Sequence, residues 1–177
     1  MAEDNPRIWW ILSFLAVGVA QQPMLIGITL PASSIHSSNA PFSVLDFVAT
    51  FTCLFGLTLA YVADSQLYEF MRNNDTLERD GKKKLLVLDS GLWRHSRHPN
   101  YCGETLWWLG YSLFGVSVGQ AWVLCGWLLN TAVLIQVTMM TEERMKTNRT
   151  GVRLEAFISY QKRTACWIPR PTDLQFH

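Results

Sequence analysis

The sequence predicts an all-α, multi-pass transmembrane helical bundle, and three observations support this prediction. Hydrophobic residues make up 49% of the 177-residue chain and charged residues only 16%, a balance typical of membrane proteins. The apolar residues form four stretches of about 20 residues, the length that crosses a hydrocarbon core. The basic residues all fall on one side of those stretches, as expected of cytoplasmic segments. We therefore expect four spans, a cytosolic loop and a C-terminal cap, in a single membrane domain over residues 1–177.

The four predicted spans occupy residues 8–30, 42–62, 101–118 and 121–140. The first also has features of a secretory signal peptide, because an arginine precedes it and the small residues Gly18–Ala20 could form a cleavage site. Its apolar character resumes after Pro23 and continues to Leu30. That stretch is too long for a signal peptide, so we favour a span with a kink near Pro23.

The 15 Lys and Arg residues predict the orientation. With four crossings, the segments before the first span, between the second and third spans, and after the fourth span share one side. These segments contain one, seven and seven basic residues, whereas the loop 31–41 and the Gly119-Gln120 turn contain none. We expect that side, with both termini, to be cytosolic. Lys82, Lys83 and Lys84 are best explained by contact with anionic lipid.

Two cytosolic segments complete the predicted organisation. The loop 63–100 should begin as a helical extension of the second span, break at Asn73-Asn74 and again at Asp80-Gly81, and return toward the membrane. The tail 141–177 should continue the last helix, break at Gly151, and form a short amphipathic helix before a Pro-bounded end.

Glu104 is the most informative carboxylate, because a carboxylate inside a span is costly and usually faces a cavity or a partner. The i, i+3, i+4 spacing puts it on one helical face with other polar and aromatic residues: Asn100, Trp107 and Trp108, with Tyr101 beside them. That face suits a ribose hydroxyl or a carboxamide of a bound cofactor. The alternative is a salt bridge from Glu104 to Arg97 or Arg94 that merely anchors the helix.

Two further carboxylates lie at the ends of the second span. Asp64 has Tyr61 and Tyr68 on its face and could line the same cavity, although a merely solvated position at the end of the span is an equal alternative. Asp46 lies near the opposite end, where we expect a structural role.

Arg94, Arg97 and Arg163 carry the forked donors that phosphates select, with contact to anionic lipid as the alternative. His98 could hydrogen-bond a phosphate or a carboxamide. Glu142 and Glu143 could bind a ribose or could pair with Arg144 and Lys146.

Metal and disulfide chemistry are not indicated. His95 and His98 alternate with arginines, whose charge opposes a cation. The four cysteines include no CxxC pair, so we expect neither a zinc site nor disulfides. The chain also has no GxGxxG or Walker loop, so any nucleotide would be held in an unconventional site.

A longer pattern carries a family resemblance. The segment GLWRHSRHPNYCGETLWWLGY over 91–111, the Glu-Glu pair, and the tail pattern F--Y--RT---IP over 157–169 resemble the C-terminal half of the steroid 5-alpha-reductase family. The uncharacterised multi-pass branch, with its R-x-S-R-H-P-N-Y-x-G-E signature, is most similar. With ADSQLYEF at 63–70, the resemblance covers about residues 60–171.

The resemblance implies an endomembrane reductase, for example of the endoplasmic reticulum. Such an enzyme binds NADPH in a cavity open to the cytosol and transfers hydride to a carbon-carbon double bond of a lipid. It implies a lipid substrate and a membrane environment, and no nucleic-acid partner is expected. The residues it implies as cofactor contacts are Asp64, Arg94, Arg97, His98, Asn100, Tyr101, Glu104, Glu143, Tyr160 and Arg163.

Two departures from the family leave other functions open. The residues that polarise the substrate carbonyl in steroid reductases lie on helices nearer the N-terminus than anything in this chain, which resembles a shortened form. The catalytic residues are therefore unassigned, and Tyr61 and Tyr111 are the candidates for a hydrogen-bond donor to the substrate. The alternatives are an S-adenosylmethionine-dependent isoprenylcysteine-type methyltransferase, which has a related R-H-P-x-Y-x-G segment, and a noncatalytic family member.

Overall fold

The computed structural model describes residues 8, 10, 11, 14–19 and 22–169. It confirms the all-α class: within these residues the regular elements are helices, and the single β-bridge is isolated. A π-helical segment at Phe14–Val19 precedes five α-helices. They are α1 (Gln22–His36), α2 (Val44–Arg79), α3 (Pro99–Ser117), α4 (Leu124–Thr147) and α5 (Val152–Arg163), with 3-10 turns at Gly91–Arg94 and Ala121–Val123.

Helix α2 begins at a capping box. The Asp46 carboxylate accepts a hydrogen bond of 2.6 Å from the backbone N–H of Ser43, which satisfies a donor at the helix start. Its other oxygen accepts a 2.6 Å bond from the Ser117 hydroxyl, so Asp46 joins the start of α2 to the end of α3. These contacts agree with the structural role expected for Asp46.

The predicted helix break at Asn73-Asn74 is wrong, because α2 continues through both residues to Arg79. Asn74 uses its side chain for a tertiary contact: its Oδ1 accepts a 2.7 Å bond from the Leu85 N–H, and its Nδ2 donates to the Leu85 carbonyl at 3.2 Å. An asparagine held in this way no longer competes with its own helix backbone. The predicted breaks at Asp80-Gly81 and Gly151 are confirmed, and both glycines have positive φ.

Helices α2 and α3 pack closely over much of their length because small residues face each other. A Cβ on Gly103 would lie 2.5 Å from the Ala60 backbone nitrogen, and one on Gly56 would lie 2.5 Å from that of Trp107. A similar approach joins α1 to α4, where a Cβ on Gly126 would lie 2.1 Å from the Gly27 carbonyl oxygen. This is the small-residue packing typical of helices in membranes.

Two helical segments, Val44–Arg79 and Ala121–Thr147, are long and apolar enough to cross a membrane. Only 17% and 22% of their most apolar windows are buried, whereas an apolar helix in a soluble core would be mostly buried. Helix α2 is especially open, with Phe47 and Phe51 about 70% exposed. Such surface is what lipid would cover.

The count of four spans stays a prediction. Helix α3 covers the predicted third span with 19 residues. Helix α1 has 15 residues, about 22 Å at 1.5 Å per residue, and it ends at His36 rather than Leu30. Parts of the first predicted span, Arg7 before it, and the end of the tail from Arg170 onward lie outside the described residues.

The cytosolic segments predicted from the sequence come together at one end of the bundle. The extension of α2, the loop 80–98, the end of α4, the turn 148–151, and α5 contain all 13 Lys and Arg residues of the described ranges. Residues 96–98 run beside 165–166, where a parallel bridge joins Ser96 to Ala165 and the His98 N–H donates to the Cys166 carbonyl at 3.1 Å. We call this region the polar end.

Candidate functional site

Glu142, near the end of α4, is the centre of a buried ionic cluster at the polar end. Arg97 donates to it with both edges of its guanidinium, from Nε to Oε1 at 2.7 Å and from Nη2 to Oε2 at 3.1 Å. His98 Nε2 lies 3.0 Å from Oε1, and Gln161 Nε2 donates to Oε2 at 2.8 Å. Only 12–13% of the Arg97 and Glu142 side chains is exposed. Four hydrogen bonds from three residues therefore saturate the carboxylate.

These contacts keep Glu142 ionised. Burial by itself would raise the pKa of this carboxyl, but the hydrogen bonds from His98 and Arg97 and their charge outweigh it and lower the pKa to about 2. Arg97 is held further by the carbonyls of Gln161 and Thr164, at 3.0 and 2.6 Å from Nη1. The cluster thus joins three chain segments that are far apart in sequence.

Tyr160 secures the same junction from α5. Its hydroxyl is buried and donates to the Trp93 carbonyl at 2.6 Å. Burial raises the pKa of this phenol well above its usual range, so it stays protonated as a donor. Trp93 in turn donates from its indole Nε1 to the Ala63 carbonyl at 3.0 Å. Tyr160, a residue of the tail pattern 157–169, therefore holds the start of the segment 91–111 in place.

A partly open cavity of about 290 Å³ lies beside this cluster; because it is more enclosed than the groove described below, we call it the enclosed cavity. Its apolar lining includes Leu67 and Phe70 of α2 and residues 86–88 of the loop. Its polar lining includes Arg97, His98, Glu142, Arg149 and Tyr160. The cavity thus combines an apolar surface with a small set of fixed polar groups, as ligand pockets do.

An open groove of about 530 Å³ lies between α2 and α3. Its lining includes Asp64, Asn100, Glu104, Trp107 and Trp108, and the predicted polar and aromatic face of α3 is therefore on the groove. Asn100 and Tyr101 also line the enclosed cavity. The two spaces consequently share a wall.

The polar groups of this groove are only partly paired. Asn100 Nδ2 donates to Asp64 Oδ1 at 3.0 Å, whereas the buried Asn100 Oδ1 accepts no hydrogen bond. The alternative of a salt bridge from Glu104 to Arg97 is not realised in the described structure, because Arg97 pairs with Glu142. No ion pair joins Glu104 to Arg94 among the described residues either. The Glu104 carboxylate, which is half-buried on the groove, is therefore available to donors from a ligand.

The structure places seven of the ten residues implied as cofactor contacts on the two spaces: Asp64, Arg97, His98, Asn100, Tyr101, Glu104 and Tyr160. Within this set, the His98 and Tyr101 rings stack at 5.4 Å. The other three lie outside. Arg94 is exposed, Glu143 is exposed and pairs with Lys146 at 3.6 Å, and Arg163 pairs with Asp89 on the surface.

Glu142 and Arg149 are the important residues missing from that set. The sequence suggested a role for the Glu142-Glu143 pair, but the resemblance favoured Glu143. Helix geometry could have separated Glu142 from Glu143, because Thr138, Glu142 and Met145 recur at intervals of four and three along one face of α4, and Arg149 follows two residues after the helix ends. Thr138 is buried and the other three line the enclosed cavity, whereas Glu143 lies outside this stripe.

A metal ion does not suit this arrangement. His98, Glu142 and Cys166 offer three ligand atoms within 4.8 Å of one another. However, both Glu142 oxygens already accept hydrogen bonds from the Arg97 guanidinium. A divalent metal ion would have to displace the Arg97 guanidinium from Glu142. We therefore assign the cluster a structural role.

Comparisons with known proteins agree with a membrane protein family of this kind. The chain is 31% identical over 116 residues to the uncharacterized protein C594.04c of Schizosaccharomyces pombe (strain 972 / ATCC 24843), an alignment that covers 58% of this chain and 34% of that protein. It thus spans about a third of that relative's length. No solved structure matches. A family model described as a protein of unknown function, DUF1295, matches residues 1–164. The chain therefore belongs to the DUF1295 family, which is related to the steroid 5-alpha-reductase and isoprenylcysteine methyltransferase-like membrane proteins.

Proposed function

We propose that this chain is the cofactor-binding part of a membrane-embedded NADPH-dependent reductase that reduces a carbon-carbon double bond of a steroid-like or other lipid. One observation carries the proposal: the enclosed cavity and the open groove meet at Asn100 and Tyr101. An elongated ligand can therefore contact both spaces at once. A dinucleotide has that shape, with polar groups along its length.

The polar groups of the groove suit the nicotinamide end of such a cofactor. The Glu104 carboxylate on the groove has no ion pair or hydrogen bond to protein in the described structure, and the neighbouring Asn100 amide is paired only through Nδ2, to Asp64. A nicotinamide carboxamide and ribose hydroxyls supply donors. Trp107 and Trp108 flank these acceptors with aromatic surface against which a planar ring or a lipid can pack.

The reduction itself adds a hydride from the dihydronicotinamide to one carbon of the double bond and a proton to the other. A donor is needed near the developing negative charge. Of the two tyrosines suggested by the sequence, Tyr111 stacks on Trp107 at 5.8 Å, while Tyr61 is 72% exposed. Neither contacts a partner that would activate it among the described residues, so the proton donor is unassigned.

The location that goes with this proposal is an endomembrane such as the endoplasmic reticulum, with the polar end toward the cytosol. The concentration of basic residues at that end supports this orientation. NADPH from the cytosol would then reach the enclosed cavity and the groove without crossing the bilayer.

The second candidate function is methyl transfer from S-adenosylmethionine. The size of the enclosed cavity favours it, because about 290 Å³ is at the small end of ligand pockets and suits a compact cofactor better than a dinucleotide. In that case the open groove would hold the methyl acceptor.

Binding of NADPH and of S-adenosylmethionine to the detergent-purified protein, followed by calorimetry, separates the two functions. We expect micromolar NADPH binding that Glu104→Gln weakens by about tenfold, the loss expected for one hydrogen bond to a charged acceptor. Glu143→Gln is the matched control, since Glu143 is exposed and outside both spaces. Binding of S-adenosylmethionine alone would move the protein to the methyltransferases, and binding of neither would favour a noncatalytic role.

A further inference from the structure

Arg149 is a cation on the wall of the enclosed cavity without an anionic partner in the described structure. Its guanidinium lies over the Phe157 ring, 4.7 Å from the centroid, and its buried Nη1 forms no hydrogen bond. A buried polar nitrogen without a partner is rare, and an unpaired buried charge is costly.

The carboxylate that could have neutralised Arg149 is already occupied. Among the residues that line the cavity, Arg97 and Glu142 cancel each other in the bidentate pair, and Arg149 carries the remaining formal positive charge. Burial, and then repulsion from Arg153, lower the pKa of Arg149, which reflects the lack of a compensating anion. Arginine nevertheless stays protonated in proteins.

We propose that Arg149 binds a phosphate group of the ligand inside the enclosed cavity. A guanidinium offers a planar fork of donors that matches phosphate oxygens, and the Phe157 ring packs against that of Arg149. The same charge disfavours S-adenosylmethionine, whose sulfonium is itself positive. Within the proposed reductase, on which this assignment to a nucleotide rests, Arg149 would bind the phosphates of NADPH; a phospholipid headgroup has the same chemistry.

Arg149→Gln and Arg153→Gln form a matched pair for the test. Both remove one positive charge from the same short segment, but Arg153 is exposed and does not line the enclosed cavity. The probes are NADPH and NADH added to the purified protein, and nanodiscs of phosphatidic acid compared with phosphatidylcholine. We expect Arg149→Gln to weaken binding of NADPH, or of phosphatidic acid if that is the probe that the wild type binds, by about tenfold or more. Arg153→Gln should leave the same affinity nearly unchanged.

Arg149→Lys and thermal unfolding curves of each variant test whether a loss of binding comes only from a loss of folding. Lysine keeps the charge without the fork, so it should restore part of the affinity lost in Arg149→Gln. A selective loss for NADPH over NADH would identify the 2′-phosphate, and an equal loss for both would identify the diphosphate; either supports the assignment.

These measurements distinguish a failure of the Arg149 assignment from a failure of the reductase proposal. If NADPH binds equally well to the wild type and to Arg149→Gln, the Arg149 assignment is wrong while the reductase proposal stands. If phosphatidic acid binds through Arg149 and neither nucleotide binds, the phosphate site stands and the reductase proposal fails. If no phosphate-bearing probe binds to the wild type, the assignment is overturned.

Discussion

The Glu142 cluster and the Glu104 groove both place a glutamate at the polar end, but in opposite states. Glu142 accepts four hydrogen bonds and is almost fully covered, whereas Glu104 has no ion pair in the described residues and borders an open groove. A saturated carboxylate has no capacity left for a ligand and stabilises the junction it holds. An unsaturated one contributes little to stability and remains available for binding. Mutations at the two sites should therefore have different consequences.

The largest effect should follow Glu142→Gln. This change leaves the buried Arg97 guanidinium without its counter-charge, and we expect a loss of about 3 kcal/mol in the free energy of unfolding. Thermal or denaturant unfolding in detergent measures it. Glu143→Gln, one residue away and exposed, should change stability by less than about 0.5 kcal/mol. Similar losses in both variants would show that the cluster does not hold the polar end together.

The pH dependence of stability should show the same cluster in the unmodified protein. The folded pKa of Glu142 is about 2, below its ordinary value of 4.5. Its contribution is therefore fully present above about pH 4.5 and is lost as the pH falls toward 2. The shift corresponds to at most about 3 kcal/mol. Unfolding curves between pH 2 and 6 measure it, and an equally steep dependence in Glu142→Gln would contradict the assignment.

Gly103→Ala tests the close packing between α2 and α3, the two helices that line the groove. The added Cβ would lie 2.5 Å from the Ala60 backbone nitrogen, and α2 and α3 would have to separate at a cost of about 1–3 kcal/mol. The groove should widen, so nucleotide affinity should fall together with stability. Gly119→Ala is not a suitable control because Gly119 has a φ of +85°. Cys102→Ala, a neighbouring substitution that adds no bulk, serves instead.

Asn100→Ala should have the smallest effect on stability and a clear effect on binding. It removes one hydrogen bond to Asp64 and the unpaired Oδ1 acceptor, so we expect a loss of up to about tenfold in cofactor affinity and of about 1 kcal/mol in stability. Lys83→Ala, far from the groove on the exposed loop, should change neither. Calorimetry and unfolding on the same preparations give both quantities; equal effects on binding from Asn100→Ala and Lys83→Ala would contradict the groove assignment.

Local patterns in the sequence predicted one of the two regions and not the other. The groove face of α3 was predictable because Asn100, Glu104 and Trp107 follow helical spacing within two turns. The Glu142 cluster was not, because Arg97, Glu142 and Gln161 are separated by 45 and 19 residues. No spacing rule connects them. The incorrect break at Asn73-Asn74 has a similar origin, since the contact that holds Asn74 in the helix comes from Leu85.

The sequence by itself determined the helical class, the apolar segments, the concentration of basic residues at one end, and the polar face of α3. These features depend on composition and on the period of a single helix. Tertiary structure decided which glutamate is buried, which arginine is paired with it, and which arginine lines the cavity without an ionic partner. Each of those outcomes depends on how α4, α5 and the loop before α3 meet, and the free energy of a charge is set by the partners that surround it.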